Sequence, residues 1–228
     1  MGVSCGENLK YVIFSGRNCP ENYLGEYNSV YKAWHKGWVS TFEELKSEAI
    51  PTATDFLRQN IVGGVFHEDT VIGLQCYSFF QLGAQSHLDH SYFKTYPQQS
   101  LDALRVRGLT QLMTMEYLYV NPDWRRSLVG FSLADIICTL GLRIFKMTDA
   151  QALISITRNQ RKVNDMLYNK GAYPLCDELT LHNVGVDIIC FEKEKVVDNQ
   201  TGLEASLTEK LWNQKQDVTE GTRISKVA

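Results

Sequence analysis

The stretch of the chain that most constrains its fold reads Val120-Asn121-Pro122-Asp123-Trp124-Arg125-Arg126-Ser127-Leu128-Val129-Gly130-Phe131-Ser132-Leu133. It joins a β-rich run, Leu112 to Val120, to a run with apolar residues at helical spacing, Ser127 to Met147. Pro122 ends the strand, and two adjacent arginines precede the helix. Because the start of a helix carries free backbone N–H groups and the positive end of the helix dipole, this junction is suited to bind a phosphate group.

The rest of the chain alternates short β-rich runs with amphipathic segments. Strands are predicted at 10–15, 61–66, 71–80, 112–120, 152–157, 179–184 and 186–191, the last two joined around Gly185. Helices are predicted at 30–45, 127–147, 159–169 and 204–214. Gly37 weakens the first helix, and Ser40-Thr41 is a candidate start for a further one. This order predicts a mixed α/β fold, and no Gly-x-Gly-x-x-Gly follows a strand, which argues against a doubly wound dinucleotide fold.

The composition is that of an ordinary globular protein. Of 228 residues, 44% are hydrophobic and 21% charged, and 23 Lys and Arg against 26 Asp and Glu give a net charge of −3. This balance supplies no basic field to attract nucleic acid. The sequence shows no signal peptide and no apolar run long enough to span a bilayer, so a cytoplasmic protein is expected. Six cysteines without a Cys-x-x-Cys pair are expected to be reduced thiols, with Cys76 and Cys138 in the core.

Two motifs resemble those of the GNAT superfamily of N-acyltransferases. The family's coenzyme A segment reads Val-x-Pro-x-x-Arg-Gly-x-Gly-x-Gly-x-x-Leu, and the stretch 120–133 matches it at five positions, whereas Arg126 and Leu128 replace glycines. The matching positions are Val120, Pro122, Arg125, Gly130 and Leu133. Downstream, Asn159 and then Leu167-Tyr168-Asn169-Lys170-Gly171-Ala172-Tyr173 resemble the family's Asn…Leu-Tyr-x-Lys-x-Gly-Phe segment. The two motifs occur in the family's order on the expected elements.

The resemblance implies a mixed, mostly antiparallel central sheet flanked by helices. It implies direct attack on a thioester by the amine of a small molecule or peptide, in a ternary complex. It implies that Tyr168 protonates the leaving thiolate, while the alternative is a packed aromatic residue near a helix end. The positions that would hold the donor are Val120, Arg125, Arg126, Ser127, Leu128, Val129, Gly130 and Asn159. The two arginines have the alternative of being solvated loop charges.

The departures from the motif leave two donors open. Arg125-Arg126-Ser127 resembles the N-acyl amino acid synthase branch, which takes acyl chains from acyl carrier protein. Leu128 has a Cβ where the backbone must approach a diphosphate, which disfavours coenzyme A. The donor is therefore acyl-CoA or acyl-phosphopantetheine on a carrier protein. The alternative class is a non-catalytic, degenerate GNAT module that binds a carrier protein or another protein partner.

Glu116 is the candidate general base that deprotonates the amine. It lies in the strand amid Met113, Met115 and Leu118, where a carboxylate is partly desolvated and suited to take up a proton. It shares strand parity with Val120, which predicts that both side chains lie on one face. The alternative is an ordinary carboxylate on a half-exposed face.

The domain organisation predicted is a GNAT-like domain at 1–194, with an insertion at 81–108, followed by a polar C-terminal extension at 195–228. The insertion is interpreted as a lid over the acceptor or acyl pocket. His87-Leu88-Asp89-His90 has a spacing that allows two metal ligands, but no third ligand is nearby in sequence, so no metal is expected. A homodimer is left open.

Overall fold

A single sheet organises the chain in the computed structural model, which describes residues 8–219. Its strands are β1 (Leu9–Phe14), β2 (Ile61–His67), β3 (Thr70–Gln81), β4 (Gln111–Val120), β5 (Ala152–Arg158), β6 (Tyr173–Leu181), β7 (Val184–Glu192) and β8 (Gln216–Asp217). Their order is β6-β7-β5-β4-β3-β2-β1-β8. Only β4–β5 and β1–β8 are parallel among the described pairs. The mixed, mostly antiparallel sheet predicted from the sequence is confirmed.

Helices cover both faces of this sheet. They are α1 (Leu24–Glu44), α2 (Ala53–Leu57), α3 (Gln85–Leu88), α4 (Gln98–Val106), α5 (Arg126–Val129), α6 (Leu133–Met147), α7 (Val163–Tyr168) and α8 (Gly202–Asn213). Alternate side chains of β1 pack into the layers on opposite faces of the sheet. Val12 and Phe14 join the core cluster beneath α1 and α2, whereas Tyr11 and Ile13 join the cluster beneath α6 and α8.

Helix α1 runs unbroken through Gly37, and the second helix proposed at Ser40-Thr41 does not form. The reason is tertiary packing: a Cβ at Gly37 would overlap the aromatic ring of Tyr119. The glycine therefore lets α1 approach β4 closely, and this contact outweighs its low helix propensity. The side chain of Trp34, which belongs to the same helix, is fully buried.

The segment predicted as one helix from Ser127 to Met147 forms two separate helices in the structure. α5 is a single turn that ends at Gly130, whose φ of 81° is left-handed. α6 begins after Ser132, whose Oγ accepts a hydrogen bond of 3.2 Å from the backbone N–H of Asp135. The glycine that matches the family motif thus ends one helix just before the next begins.

Three further expectations differ from the structure. The last hairpin does not turn around Gly185, because His182 and Asn183 take up positive φ of 50° and 64°, as a two-residue type I′ turn requires. The helix predicted from Asn159 begins only at Val163, after a 3₁₀ turn. The segment 81–108 contains α3 and α4, which the sequence did not predict.

The core expectations for the cysteines are confirmed where the structure describes them. Cys76 and Cys138 are fully buried free thiols. Cys5 lies outside the described residues. Within residues 8–219, no helix combines the length and apolar character that crossing a membrane requires.

Candidate functional site

Strands β4 and β5 separate from one another halfway along the sheet. Their ladder pairs Leu112 with Ala152 and continues only as far as Thr114 with Ile154. The last link is the Ser155 hydroxyl, which donates a hydrogen bond of 2.7 Å to the backbone carbonyl of Met115. Beyond that point the two strands are no longer paired, and a cleft opens in the middle of the sheet. Backbone groups of both strands are thereby released from the ladder.

A β-bulge in β4 accompanies this opening. Leu74 pairs with Tyr119 and Cys76 with Glu116, so two residues of β4, Tyr117 and Leu118, lie opposite a single residue of β3. Tyr117 has a φ of 55°, a left-handed conformation that is rare for an aromatic residue. Such backbone strain clusters at functional sites.

The bulge overturns the parity argument for Glu116. Because one extra residue is inserted, Glu116 and Val120 pair with Cys76 and Gly73, which are three residues apart and lie on opposite faces of the sheet. The two methionines near Glu116 in sequence also belong to the other face, in the core cluster with α6. Glu116 faces the α1 and α2 side.

Two adjoining cavities occupy the cleft. The larger has a volume of about 260 Å³ and reaches toward α1, α2 and the segment 81–108, and the smaller, of about 90 Å³, extends between β4 and β5 toward α7. Ser91, Tyr92 and Thr95 of the insertion line the larger cavity. Both cavities are lined by Trp38, Met115, Glu116, Tyr117, Ile156 and Arg158.

Glu116 is held by an ion pair that the sequence did not reveal. Arg58 donates from both terminal nitrogens to its two carboxylate oxygens, with an Nη1–Oε1 distance of 3.1 Å. Thr114 adds a hydroxyl donor at 2.6 Å. The side chain of Glu116 is only 7% exposed, so its charge is compensated by the guanidinium rather than by water. Burial by itself lowers the pKa of Arg58, but the charge of Glu116 and its hydrogen bonds, with a smaller contribution from Tyr117, together raise that pKa.

The short helix α2, which precedes Arg58, could have been predicted from sequence. Thr52 and Asp55 form a capping box at the start of α2, with the Asp55 carboxylate accepting from the Thr52 backbone N–H at 2.9 Å. This Thr-x-x-Asp spacing is a recognisable helix start. What the sequence could not show is that the short helix delivers Arg58 to a strand 58 residues further on.

Tyr168 lies in a buried polar cluster beside the cleft. Its hydroxyl donates a hydrogen bond of 2.7 Å to the carboxylate of Asp187 in β7, and the residue does not line either cavity. Asp187 also accepts from Asn159 at 3.0 Å and from Asn164 at 2.9 Å. Burial and the hydrogen bond to Asp187 raise the pKa of Tyr168. Burial alone would raise the pKa of Asp187, but the hydrogen bonds from Asn164, Tyr168 and Asn159 lower it.

In the loop that the sequence assigns to binding of the acyl donor, several backbone N–H groups are already hydrogen-bonded within the chain. The N–H groups of Leu128 and Val129 both donate to the carbonyl of Arg125, at 2.8 and 3.3 Å, and that of Gly130 donates to Arg126 at 2.9 Å. Leu128 is 68% exposed. Arg125 and Arg126 are exposed, and neither takes part in an ion pair within residues 8–219. Val120 packs against the core cluster beneath α6.

Arg158 stands out among the residues that line both cavities. Its guanidinium makes neither a hydrogen bond nor an ion pair with any residue that the structure describes, although it is half-buried. Burial and the neighbouring charge of Arg161 lower the pKa of Arg158, and the charge of Glu44 offsets this only in part. Arg161 is itself paired with Glu44 at 2.8 Å.

The histidines of the insertion have local partners. His87 accepts a hydrogen bond of 2.7 Å from the backbone N–H of Gln81, and His90 accepts one of 3.1 Å from that of Tyr92. Across the described range 8–219, no three His, Cys, Asp or Glu side chains are grouped to hold a metal ion.

Comparison with known proteins identifies the fold. No family model and no curated protein matches the chain. Among solved structures, FeeM, an N-acyl amino acid synthase from uncultured soil microbes, matches with 14% identity and a TM-score of 0.56, covering 82% of this chain and 94% of that chain. The CoA-dependent acyl-homoserine lactone synthase BjaI, determined with SAM and isopentyl-CoA, has 11% identity and a TM-score of 0.59, covering 92% and 93%. The AHL synthase LasI has 17% identity and a TM-score of 0.51, covering 85% and 98%. The chain therefore has the GNAT-like fold of these acyl-transferring proteins.

Proposed function

We propose that the chain is an N-acyltransferase that moves an acyl group from a thioester donor to an amine acceptor in a ternary complex. The observation that carries this proposal is the opening between β4 and β5, with a buried carboxylate at its edge. An extended thioester arm can lie between the separated strands and complete their backbone hydrogen bonding. The similarity to solved acyltransferases supports the same activity.

The reaction assigns a task to each part of the cleft. The amine nitrogen attacks the thioester carbonyl, the C–S bond breaks, and the thiolate leaves. Glu116 takes the proton from the attacking nitrogen, directly or through a water, because it lines both cavities. Backbone N–H groups of β4 beyond the end of its ladder with β5 stabilise the oxyanion.

Tyr168 is the proposed acid that protonates the departing thiolate. Its single hydroxyl proton is engaged by Asp187, so it can be delivered only after this hydrogen bond is released. Asp187 therefore both fixes the orientation of the phenol and restrains its proton. Replacing Tyr168 with Phe tests the acid role while keeping the ring.

The acceptor proposed is an amine that carries a carboxylate. Arg158 is half-buried in the cleft and makes no ion pair with the residues that the structure describes. A ligand carboxylate could pair with the guanidinium of Arg158 through charge-assisted, bidentate hydrogen bonds. Trp38 and Phe42 supply an apolar wall in the same cavity.

The donor proposed is an acyl-phosphopantetheine thioester, presented as acyl-CoA or on acyl carrier protein. Asn159, Val120 and the residues of the loop that the sequence assigns to the donor are the proposed binding groups. In the loop these are Arg125, Arg126, Ser127, Leu128, Val129 and Gly130.

The experiment supplies purified protein with acyl-CoA and acyl carrier protein thioesters and a panel of amines with and without a carboxylate. Free thiol release and the mass of the amide product are measured together. Amide formation that requires both substrates supports the proposal. Thiol release without amide would indicate a thioesterase instead.

A second candidate is a non-catalytic module that binds a carrier protein or another partner. The observation that favours it is the state of the donor loop, where the N–H groups of 128–130 are bonded within α5. Binding of a carrier protein, together with no product from any donor and acceptor pair, would support this candidate.

A further inference from the structure

The first residues of the C-terminal extension cover the end of α7. The backbone N–H of Val197 donates a hydrogen bond of 2.9 Å to the carbonyl of Lys170. The side-chain amide of Asn199 donates one of 2.9 Å to the carbonyl of Asn169. Both carbonyls directly follow α7, where a helix leaves backbone groups without partners of its own. The segment 195–200, which we call the strap, therefore supplies donors that the end of this helix needs.

The strap fits closely against the end of α7. A Cβ at Gly171 would overlap the carbonyl oxygen of Lys195, so only glycine allows this approach. The Lys170 side chain is only 2% exposed, and its ammonium pairs with Asp135 of α6 at 2.9 Å. The same ammonium donates to the side-chain oxygen of Asn199 at 3.3 Å. The amide of Asn199 is thus held at both ends, by a buried ammonium and by a backbone carbonyl.

Helix α7 depends on contacts of this kind. It has six residues, and so short a helix is not stable without tertiary packing. Leu167 is buried in the core, and the side chains of Asn164 and Tyr168 both donate to Asp187. In the proposed reaction the Tyr168 hydroxyl leaves Asp187 to deliver its proton. From that moment the position of Tyr168 depends on the core and on the strap.

We infer that Asn199 is a positioning residue that holds the backbone at Tyr168 in place while the hydroxyl leaves Asp187 and protonates the thiolate. This inference rests on the proposed function, because that function assigns the acid role to Tyr168. Asn199 lines neither cavity and acts through Asn169, the residue after Tyr168. The hydroxyl proton passes to the sulfur as the C–S bond breaks, and the phenolate regains a proton from water. Because small errors in placement slow such a step strongly, a contact outside the cleft can control its rate.

The test uses two donors that carry the same acyl group and differ in their need for an acid. An S-acyl pantetheine releases an alkyl thiolate, which leaves poorly unless it is protonated, whereas an S-phenyl thioester releases a thiolate of low pKa. The kcat for each donor is measured with the amine that the full chain acylates fastest. The proteins compared are the full chain, Asn199→Ala and Asp198→Ala. Asp198 is the matched control, because it lies in the same strap but pairs with Arg143 of α6, which keeps Glu209 as a second partner.

We expect Asn199→Ala to lower kcat for the pantetheine donor by about tenfold, with KM unchanged, and to leave kcat for the phenyl donor unchanged. Asp198→Ala should match the full chain with both donors. Asn199 is exposed, so its truncation is expected to fold. The ratio of the two kcat values comes from one preparation, so it does not depend on the folded fraction.

A double variant tests whether the effect passes through Tyr168. Tyr168→Phe should lower kcat for the pantetheine donor, and adding Asn199→Ala to it should cause no further loss. A further loss of the same size as in the unaltered background would show that Asn199 acts elsewhere.

Three other results would overturn the inference while the proposed function stands. One is an equal loss with both donors in Asn199→Ala, which would indicate a general structural role. The second is an unchanged kcat in Asn199→Ala with both donors. The third is the same donor-dependent loss in Asp198→Ala. If the full chain forms no amide from either donor, the proposed function itself fails and the inference falls with it.

Discussion

The carboxylate of Glu116 is buried at the cleft and paired with Arg58. The proton that the carboxylate takes up comes from the amine nitrogen, which becomes positively charged and acidic once it has attacked the thioester carbonyl. The pair also fixes the orientation of the carboxylate within the cleft.

Replacing Glu116 with Gln should lower kcat/KM by about 10²-fold or more, since a positioned general base contributes this much. The size of the side chain and one acceptor are retained, so circular dichroism should be unchanged. Asp102→Asn is the matched control, because Asp102 pairs with Arg105 on the exposed side of α4 and is not among the residues lining either cavity. Equal rates for Glu116→Gln and the control would remove Glu116 from the mechanism.

Arg158 gives a prediction about the acceptor. Arg158→Gln should raise KM for an amine bearing a carboxylate by about 10- to 100-fold, because a charged hydrogen bond contributes about 1.5–3 kcal/mol. The same variant should treat the methyl ester or amide of that amine as the unaltered protein does. A uniform loss for charged and uncharged amines would show that Arg158 does not contact the carboxylate.

Asp187 gives a prediction about stability and pH. Asp187→Asn leaves the donors of Tyr168, Asn159 and Asn164 short of acceptors, which should lower the free energy of unfolding by about 1–3 kcal/mol at pH 7. The pKa of Asp187 is lowered in the folded protein, so its stabilisation is complete above the unfolded carboxyl value of about 3.9. It is lost as the pH falls through the lower folded value.

Urea titrations at several pH values measure this effect. The difference between the unaltered protein and Asp187→Asn should be constant from about pH 6 to 8 and should shrink below about pH 4. A difference that grows on acidification would contradict the assignment.

Residue types were more predictable than residue partners. Motif and strand position predict Glu116 and Tyr168 as candidate site residues, but their partners Arg58 and Asp187 come from distant elements that no local pattern connects to them. Asp187 did leave one sign in the sequence, since it interrupts the apolar run Val184 to Phe191. A carboxylate in a buried strand needs hydrogen-bond donors, and the asparagines at 159 and 164 supply them.

At the scale of elements, the close contact of α1 with β4 depends on Gly37. Gly37 faces the ring of Tyr119, which follows the bulge in β4. Alanine normally stabilises a helix relative to glycine by about 1 kcal/mol. At this position its Cβ would force the helix and the strand apart.

Gly37→Ala should therefore destabilise the protein by about 1–3 kcal/mol, as overpacking does, instead of stabilising it. Gly25→Ala is the control in the same helix, because no atom lies within 4 Å of a Cβ built there. It should be neutral or stabilise by a few tenths of a kcal/mol up to about 1. Thermal unfolding of both variants gives the comparison, and stabilisation by Gly37→Ala would mean that the close approach is absent.

The strands were predictable from sequence, and the irregularities that shape the site were not. Alternation and β-rich composition located β1 to β5 within a few residues, because these runs are apolar and bounded by turn residues. The bulge at Tyr117 depends on the partner strand, so no periodicity within β4 reveals it. It reversed the face of the β4 residues that follow it, which is why the prediction that Glu116 and Val120 lie on one face was wrong.

At the scale of the whole molecule, the C-terminal extension is joined to the sheet and to α6. Within its described part, β8 pairs with β1, and α8 buries Leu207 and Leu211 against the core. The sequence predicts a polar extension after a domain at 1–194. The apolar residues of one short helix form too weak a pattern to predict that this extension packs against the core. These contacts indicate that removing the extension would expose apolar surface on α6.

The overall architecture followed from two weak motifs in the correct order. The chain shares a GNAT-like fold with FeeM, BjaI and LasI at 11–17% identity. At this identity the likeness shows the fold, and the acceptor proposed above rests on the placement of individual side chains such as Arg158.

The most direct measurement of the central claim maps where a thioester arm binds. A pantetheine thioether with a photoreactive acyl chain is cross-linked to the full chain, and the labelled peptides are identified by mass spectrometry. We expect labelling in β4 at 115–118 and in β5 at 155–158, reduced by excess acyl-pantetheine. Labelling confined to other surfaces, or unaffected by the competitor, would contradict the account.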